Sequence, residues 1–167
     1  MDPGGTCGQL ADWVVEVFMF FRDLTAYEYQ VPRKVPNVLM IGWLDDNTEF
    51  ERAEADAPFL NALRSLYPSH QVNKMRGYHK CQLCHTTKNK GVMEASIDGD
   101  LGSAELWIPS SDKSAIFAAP DMIIHYIETH QYSPPTSYKQ AVIQAAGNLR
   151  WNATEECERA LNSAYRS

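Results

Sequence analysis

Two pairs of metal-ligating residue types constrain this chain more than any other feature. Cys81 and Cys84 are separated by two residues, His125 and His130 by four, and 40 residues lie between Cys84 and His125. Thiolate sulfur and imidazole nitrogen are the donors zinc(II) prefers, and four of them complete its tetrahedral shell. The Cys-x2-Cys spacing lets one tight turn aim both sulfurs at a point, and Gly77 permits a sharp bend just before it. The histidine spacing is less simple, because positions five apart on an ideal helix point about 140° apart. Pro134 and Pro135 forbid the helix from continuing beyond about Tyr132. His130 is therefore expected in the last turn, where the backbone can loosen or tighten. The expected site is one zinc ion held by Cys81, Cys84, His125 and His130.

Rival readings are weaker on the same residues. A redox Cys-x-x-Cys should follow a strand and open a helix, whereas a Lys-rich segment follows Cys84. His79 and His85 flank the cysteines and are the alternative ligands to His130. His79 would point off the opposite side of an extended strand, and His85 would need a changed turn. A catalytic zinc needs an open position with bound water, and Glu128 is the candidate base. The order His-x2-Glu-x-His differs from His-Glu-x2-His, so Glu128 is expected to point away from both histidines. Four protein ligands favour a closed, structural site over a hydrolase.

The remaining sequence supplies a scaffold. Gln9 to Leu24 carries apolar residues at helical spacing, and Tyr27 to Pro36 reads as a connector. Val38 to Leu44 is a continuous apolar run expected to form a buried strand. Ala55 to Tyr67 is an amphipathic helix with Asp56 as N-cap, Pro58 in the first turn and Pro68 as its end. Gly91 to Ile97, Ala104 to Ile108 and Ala115 to Ala118 read as short strands of an antiparallel meander. Asp98-Gly99 and Ser110-Ser111-Asp112 provide its turns. Pro120 to His130, Ser137 to Ala145 and Asn152 to Tyr165 read as helices, the first with Asp121 at its positive end. Trp13, Phe18, Trp43 and Phe59 sit at core spacings. The fold class is α+β: a small antiparallel sheet with a zinc knuckle, surrounded by helices. The 167 residues form a single domain, with residues 76–132 as the zinc-binding subregion and 133–167 as C-terminal helices.

Charge bounds the partners. Fifteen basic and 21 acidic residues give a net charge of −6, which argues against broad binding to nucleic acid or anionic membrane. One local exception is the stretch holding Lys74, Arg76, Lys80, Lys88 and Lys90 without an acid. It is read as a solvated loop whose cations offset the thiolates, and alternatively as an anion or nucleic-acid contact. The N-terminal Met-Asp-Pro-Gly-Gly has no basic region of the secretory kind, so a cytoplasmic location is expected. In that compartment Cys7 and Cys157 are read as isolated thiols.

The order cysteine pair, β segments, histidine pair on a helix resembles the Cys2His2 zinc finger. The finger's ligand pairs correspond to Cys81 with Cys84 and His125 with His130. Forty residues between the pairs, against about twelve in the finger, put a DNA-reading role in doubt. The landmarks Ile41-Gly-Trp-Leu-Asp45, Gly77-Tyr-His-Lys-Cys-Gln-Leu-Cys84 and Ala119 to Pro135 also resemble a family of bacterial proteins of unknown function. That resemblance implies a zinc-binding domain and brings no established activity. The expectation is a non-enzymatic domain, stabilised by zinc, that acts through a protein partner.

Overall fold

The structure is a computed structural model describing residues 20–29, 31–86, 101–147 and 150–166. The strands are β1 (Ala26–Tyr27), β2 (Val35–Met40), β3 (Gln71–Val72), β4 (Glu105–Pro109) and β5 (Ile116–Pro120). The helices are α1 (Ala57–His70), α2 (Leu83–Thr86), α3 (Ile123–His130), α4 (Thr136–Ala146) and α5 (Ala153–Arg166). The class is α+β, as expected.

The five strands form one sheet in the order β1-β2-β5-β4-β3. It is mixed rather than purely antiparallel, because β2 runs parallel to β5, with Leu39 opposite Phe117. The hairpin β4–β5 and the pair β3–β4 are antiparallel, with Trp107 opposite Ala118 and Gln71 opposite Leu106. Side chains alternate across the sheet. Leu106, Ile108, Phe117 and Ala119 join a core with α1, α3 and α4 on one face. Trp107, Ile116, Ala118, Val38 and Met40 join a second core under α5 on the other. Both faces are thus covered, which explains the near-continuous apolar runs of β4 and β5. No helix among the described residues is long and apolar enough to cross a membrane.

Several local expectations change. The run read as a strand from Val38 to Leu44 forms β2 three residues earlier and leaves the sheet after Met40. Pro36 is tolerated because β5 pairs only with Val38, Leu39 and Met40. Gly42, at φ +67°, then turns the chain, and a Cβ there would press on Ile123 Cδ1 at 2.9 Å. Pro68 does not end α1 but lies in its last turn, with the helix running on to His70. Asp56 occupies the N-cap position without a side-chain cap bond. The C-terminal end of the segment read as a helix, residues 20–24, is not helical. Phe21 bridges Trp43, and Leu24 takes φ 64°. The rest of that segment, with Trp13 and Phe18, lies outside the described residues, as do Cys7, Gly91 to Ile97 and the Asp98-Gly99 turn. Cys157, on α5, is a buried free thiol. The buried stripe of α5 is Ala153, Cys157, Ala160 and Ala164, and Tyr165 is 62% exposed.

Candidate metal centre

The cysteines come from the segment between β3 and α2, and the histidines from α3. Leu83 begins α2, so Cys84 sits in its first turn and Cys81 just before it: a short helix opens at the cysteine pair, where the expectation is a Lys-rich segment without a helix. Cys81, Cys84 and His130 are buried and His125 is partly exposed. One donor atom from each of the four residues lies within 4.8 Å of every other. His130 Nε2 is 3.3 Å from Cys81 Sγ and 3.2 Å from Cys84 Sγ, and His125 Nε2 is 3.2 Å from Cys84 Sγ. Zinc bonds of about 2.3 Å to sulfur and about 2.0–2.1 Å to nitrogen, at a tetrahedral angle, set S···N at about 3.5 Å. The four side chains thus converge at nearly the spacing a metal demands, and the cluster could hold a metal ion.

Both imidazoles present Nε2 inward despite the awkward helical spacing. Their rings stand 5.2 Å apart at 74°. The helix stops at His130 because Gln131 adopts the left-handed conformation, φ 58°, and its N–H returns to Tyr126 O. Termination therefore occurs at Gln131, ahead of Pro134-Pro135. Pro135 instead precedes the first residue of α4. An extended strap then fixes the helix end. Arg52 bridges Tyr132, Ala53 N donates to Gln131 O at 2.9 Å, and Ser133 N to Glu51 O at 2.8 Å. The Arg52 guanidinium donates to His130 O at 2.6 Å, satisfying a helix-terminal carbonyl with a cation. Thr129 Oγ1 lies 3.3 Å from His125 Nδ1, where a hydrogen bond would orient the ring.

A second brace reaches the knuckle. The Asp121 carboxylate, just before α3, accepts hydrogen bonds from Gly102 N at 2.7 Å and Ala104 N at 3.1 Å. His79 N donates to Gly102 O at 2.6 Å, and a Cβ on Gly102 would collide with His79 O. Asp121 thus links the root of the histidine helix to the backbone two residues before Cys81. Its expected role at the helix dipole is replaced by this one, since α3 begins two residues later.

Electrostatics favours a cation here. Burial, reinforced by the neighbouring Cys84, pushes the Cys81 thiol up to about 12. Burial, with His125 and Arg52 beside it, holds His130 down to about 4. A neutral imidazole is ready to ligate, and a buried thiolate needs a positive partner.

Residues 19–143 match a family described as Domain of unknown function (DUF7919). The chain belongs to that family. All four clustered residues lie within the matched span. No curated protein and no solved structure matches the chain.

The other candidates among the described residues are placed apart from the cluster. His79 is exposed and is not among the clustered residues. The His85 side chain lies outside the described set. Glu128 turns outward to Arg64, with guanidinium–carboxylate contacts of 2.7 and 3.0 Å. Lys74, Arg76 and Lys80 are exposed on the loop from β3 to the knuckle, and Lys88 and Lys90 lie outside the described residues. Sequence reasoning missed Arg52, for which there was no local signal. It also missed the bracing role of Asp121, for which Gly102 was the available hint.

Proposed function

We propose that this chain is a non-enzymatic domain in which a structural zinc ion clamps the knuckle to α3, and that it acts through a protein partner. The observation that carries the reading is the convergence of four donor atoms within 4.8 Å. Two thiolates and two neutral imidazoles would balance the ion's charge and close its shell, leaving no place for a reactive water. The ion would supply cross-linking only: Cys81 and Cys84 hold one side, and His125 and His130 the other. The outward turn of Glu128 toward Arg64 weighs against the hydrolase alternative. A reducing, cytoplasmic setting would keep the thiols available.

The partner surface we favour is the loop leading into the knuckle, where Met75 is 44% and Tyr78 61% exposed. Exposed Lys74, Arg76 and Lys80 on the same loop favour, as a second reading, a nucleic-acid adaptor. Metal analysis of the purified protein tests the main proposal. One zinc per chain is expected, and cobalt substitution should give the visible bands of a tetrahedral thiolate site. Absence of stoichiometric metal, or an octahedral cobalt spectrum, refutes it. Nucleic-acid affinity that falls steeply with salt would select the second reading for the loop.

A further inference from the structure

A second constellation lies beyond the metal centre, at one end of the sheet. Strands β2, β3 and β5 run in one direction, so the segments following all three converge there. They enclose a cleft of ≈ 60 Å³. Loops at the carboxyl ends of parallel strands are where open sheets with helices usually place ligands.

The charged groups of this cleft are mainly acidic. Among its described lining residues Glu105 and Asp121 are buried acids, His79 is an exposed imidazole, and none is Lys or Arg. Glu105 accepts from Tyr27 Oη at 3.0 Å, Asn73 Nδ2 at 2.9 Å and Trp107 Nε1 at 2.8 Å. A carboxylate has about four acceptor sites, so among the described residues one remains unfilled. Ser103 also lines the cleft, is 2% exposed, and its Oγ has no hydrogen-bond partner among the described residues. An unpartnered buried hydroxyl is costly, and a ligand donor is one way to satisfy it. The apolar wall is the pair Tyr29 and Trp43, with ring centroids 4.5 Å apart. Trp43 is fixed by its indole N–H to Ala118 O at 3.1 Å. Aromatic faces and carboxylates both attract organic cations.

We propose that this cleft binds a small primary alkylammonium compound. The ammonium group donates to Ser103 Oγ and to the remaining acceptor site of Glu105, with Asp121 adding negative charge. The alkyl chain lies along Tyr29 and Trp43. The volume sets the size: at about 10–15 Å³ per water-sized group, the cleft takes a chain of about four to six heavy atoms. The inference goes beyond the metal reading and does not depend on it.

The test titrates n-butylamine, with n-butanol as neutral isostere and butyrate as anion, into the full chain, following the Trp43 indole and Ser103 amide by NMR. The amine is expected to shift both signals saturably, with butanol at least about tenfold weaker and butyrate not binding. Ser103→Ala should keep or raise the melting temperature while weakening the amine about tenfold, and Glu105→Gln should weaken it further. Equal binding of butanol overturns the proposal. So does the absence of any shift at millimolar amine, or unchanged amine affinity in the folded Ser103→Ala protein.

Discussion

The two faces of the sheet each bury a polar centre, and the two centres are completed differently. Under α5, Glu105 is surrounded by three side-chain donors supplied by the fold itself. On the opposite face, Cys81, Cys84, His125 and His130 bring together four groups that act chiefly as electron-pair donors. The first centre is largely satisfied by protein alone. The second gathers acceptors around a point and could hold a metal ion as its positive partner. The contrast separates a polar network that specifies packing from one that specifies a cation.

The largest effect expected from breaking this contrast is on the metal side. Structural zinc contributes about 10–16 kcal/mol in small finger peptides, against a whole-domain stability of about 5–15 kcal/mol. Even a third of that contribution is about 3–5 kcal/mol, which lowers the melting temperature by about 6–20 °C for a domain of this size. Chelation and Cys81→Ser should each produce that drop in thermal melts, and the two should not add. A melt unchanged by chelator would place both centres in the self-sufficient class. Gly102→Ala tests the brace that ties the root of α3 to the knuckle. It puts a Cβ onto the His79 backbone at a position with φ +100°. The cost should be about 2–4 kcal/mol, with weakened metal retention in a competition assay, because the displaced backbone leads into Cys81.

The Glu105 centre should respond more modestly and independently of metal. Glu105→Gln turns an acceptor toward a donor and should cost about 1–3 kcal/mol, equally with and without chelator. The pH dependence sharpens the distinction. Burial pushes the Glu105 carboxyl up to about 7 from its ordinary 4.5. The folded chain then binds this proton more tightly than the unfolded chain between those values. Its contribution to stability therefore falls as pH rises from about 4.5 to about 7, by roughly 1–3 kcal/mol. The wild-type lead over Glu105→Gln should shrink across that window in denaturant melts. The contribution of a zinc ion bound as proposed would slope the other way, since acid would protonate its ligands and release the ion. A lead that grows with pH would contradict the assignment.

The clustering of Cys81, Cys84, His125 and His130 was legible in the sequence because few residue types bind zinc and their pair spacings are restrictive. Even His130, the hardest ligand to justify on helical geometry, was placed by the nearby end of the helix, although Gln131 ends it. Periodicity likewise gave α1, α4, α5 and the β4–β5 hairpin, since each is specified by neighbours in sequence. What escaped depends on distant partners. The parallel pairing of β2 with β5 joins segments nearly 80 residues apart, as Leu39 with Phe117 shows, and no local pattern encodes it. Glu105 lay inside a segment correctly read as a strand. That its carboxylate faces inward follows only from Tyr27, Asn73 and α5 closing over it. Arg52 reaches His130 from 78 positions away.

The smallest effect expected concerns Glu128, the residue that would matter most if the metal centre were catalytic. Its carboxylate pairs with Arg64 at 2.7 Å, with side-chain exposures of 29% and 39%. Solvent screens such a pair, so Glu128→Gln should change stability by less than about 1 kcal/mol. The metal content should stay the same, because Glu128 contributes none of the four converging donor atoms. A base acting on zinc-bound water would behave differently. Removing it would spare the fold but abolish any hydrolytic turnover, typically by about 10²–10⁴-fold. Screening wild type and Glu128→Gln against ester, phosphodiester and peptide substrates therefore asks whether the closed geometry is the working state. Turnover that disappears in the variant would move this centre from the structural class to the catalytic one, while the Glu105 centre on the other face would keep its place.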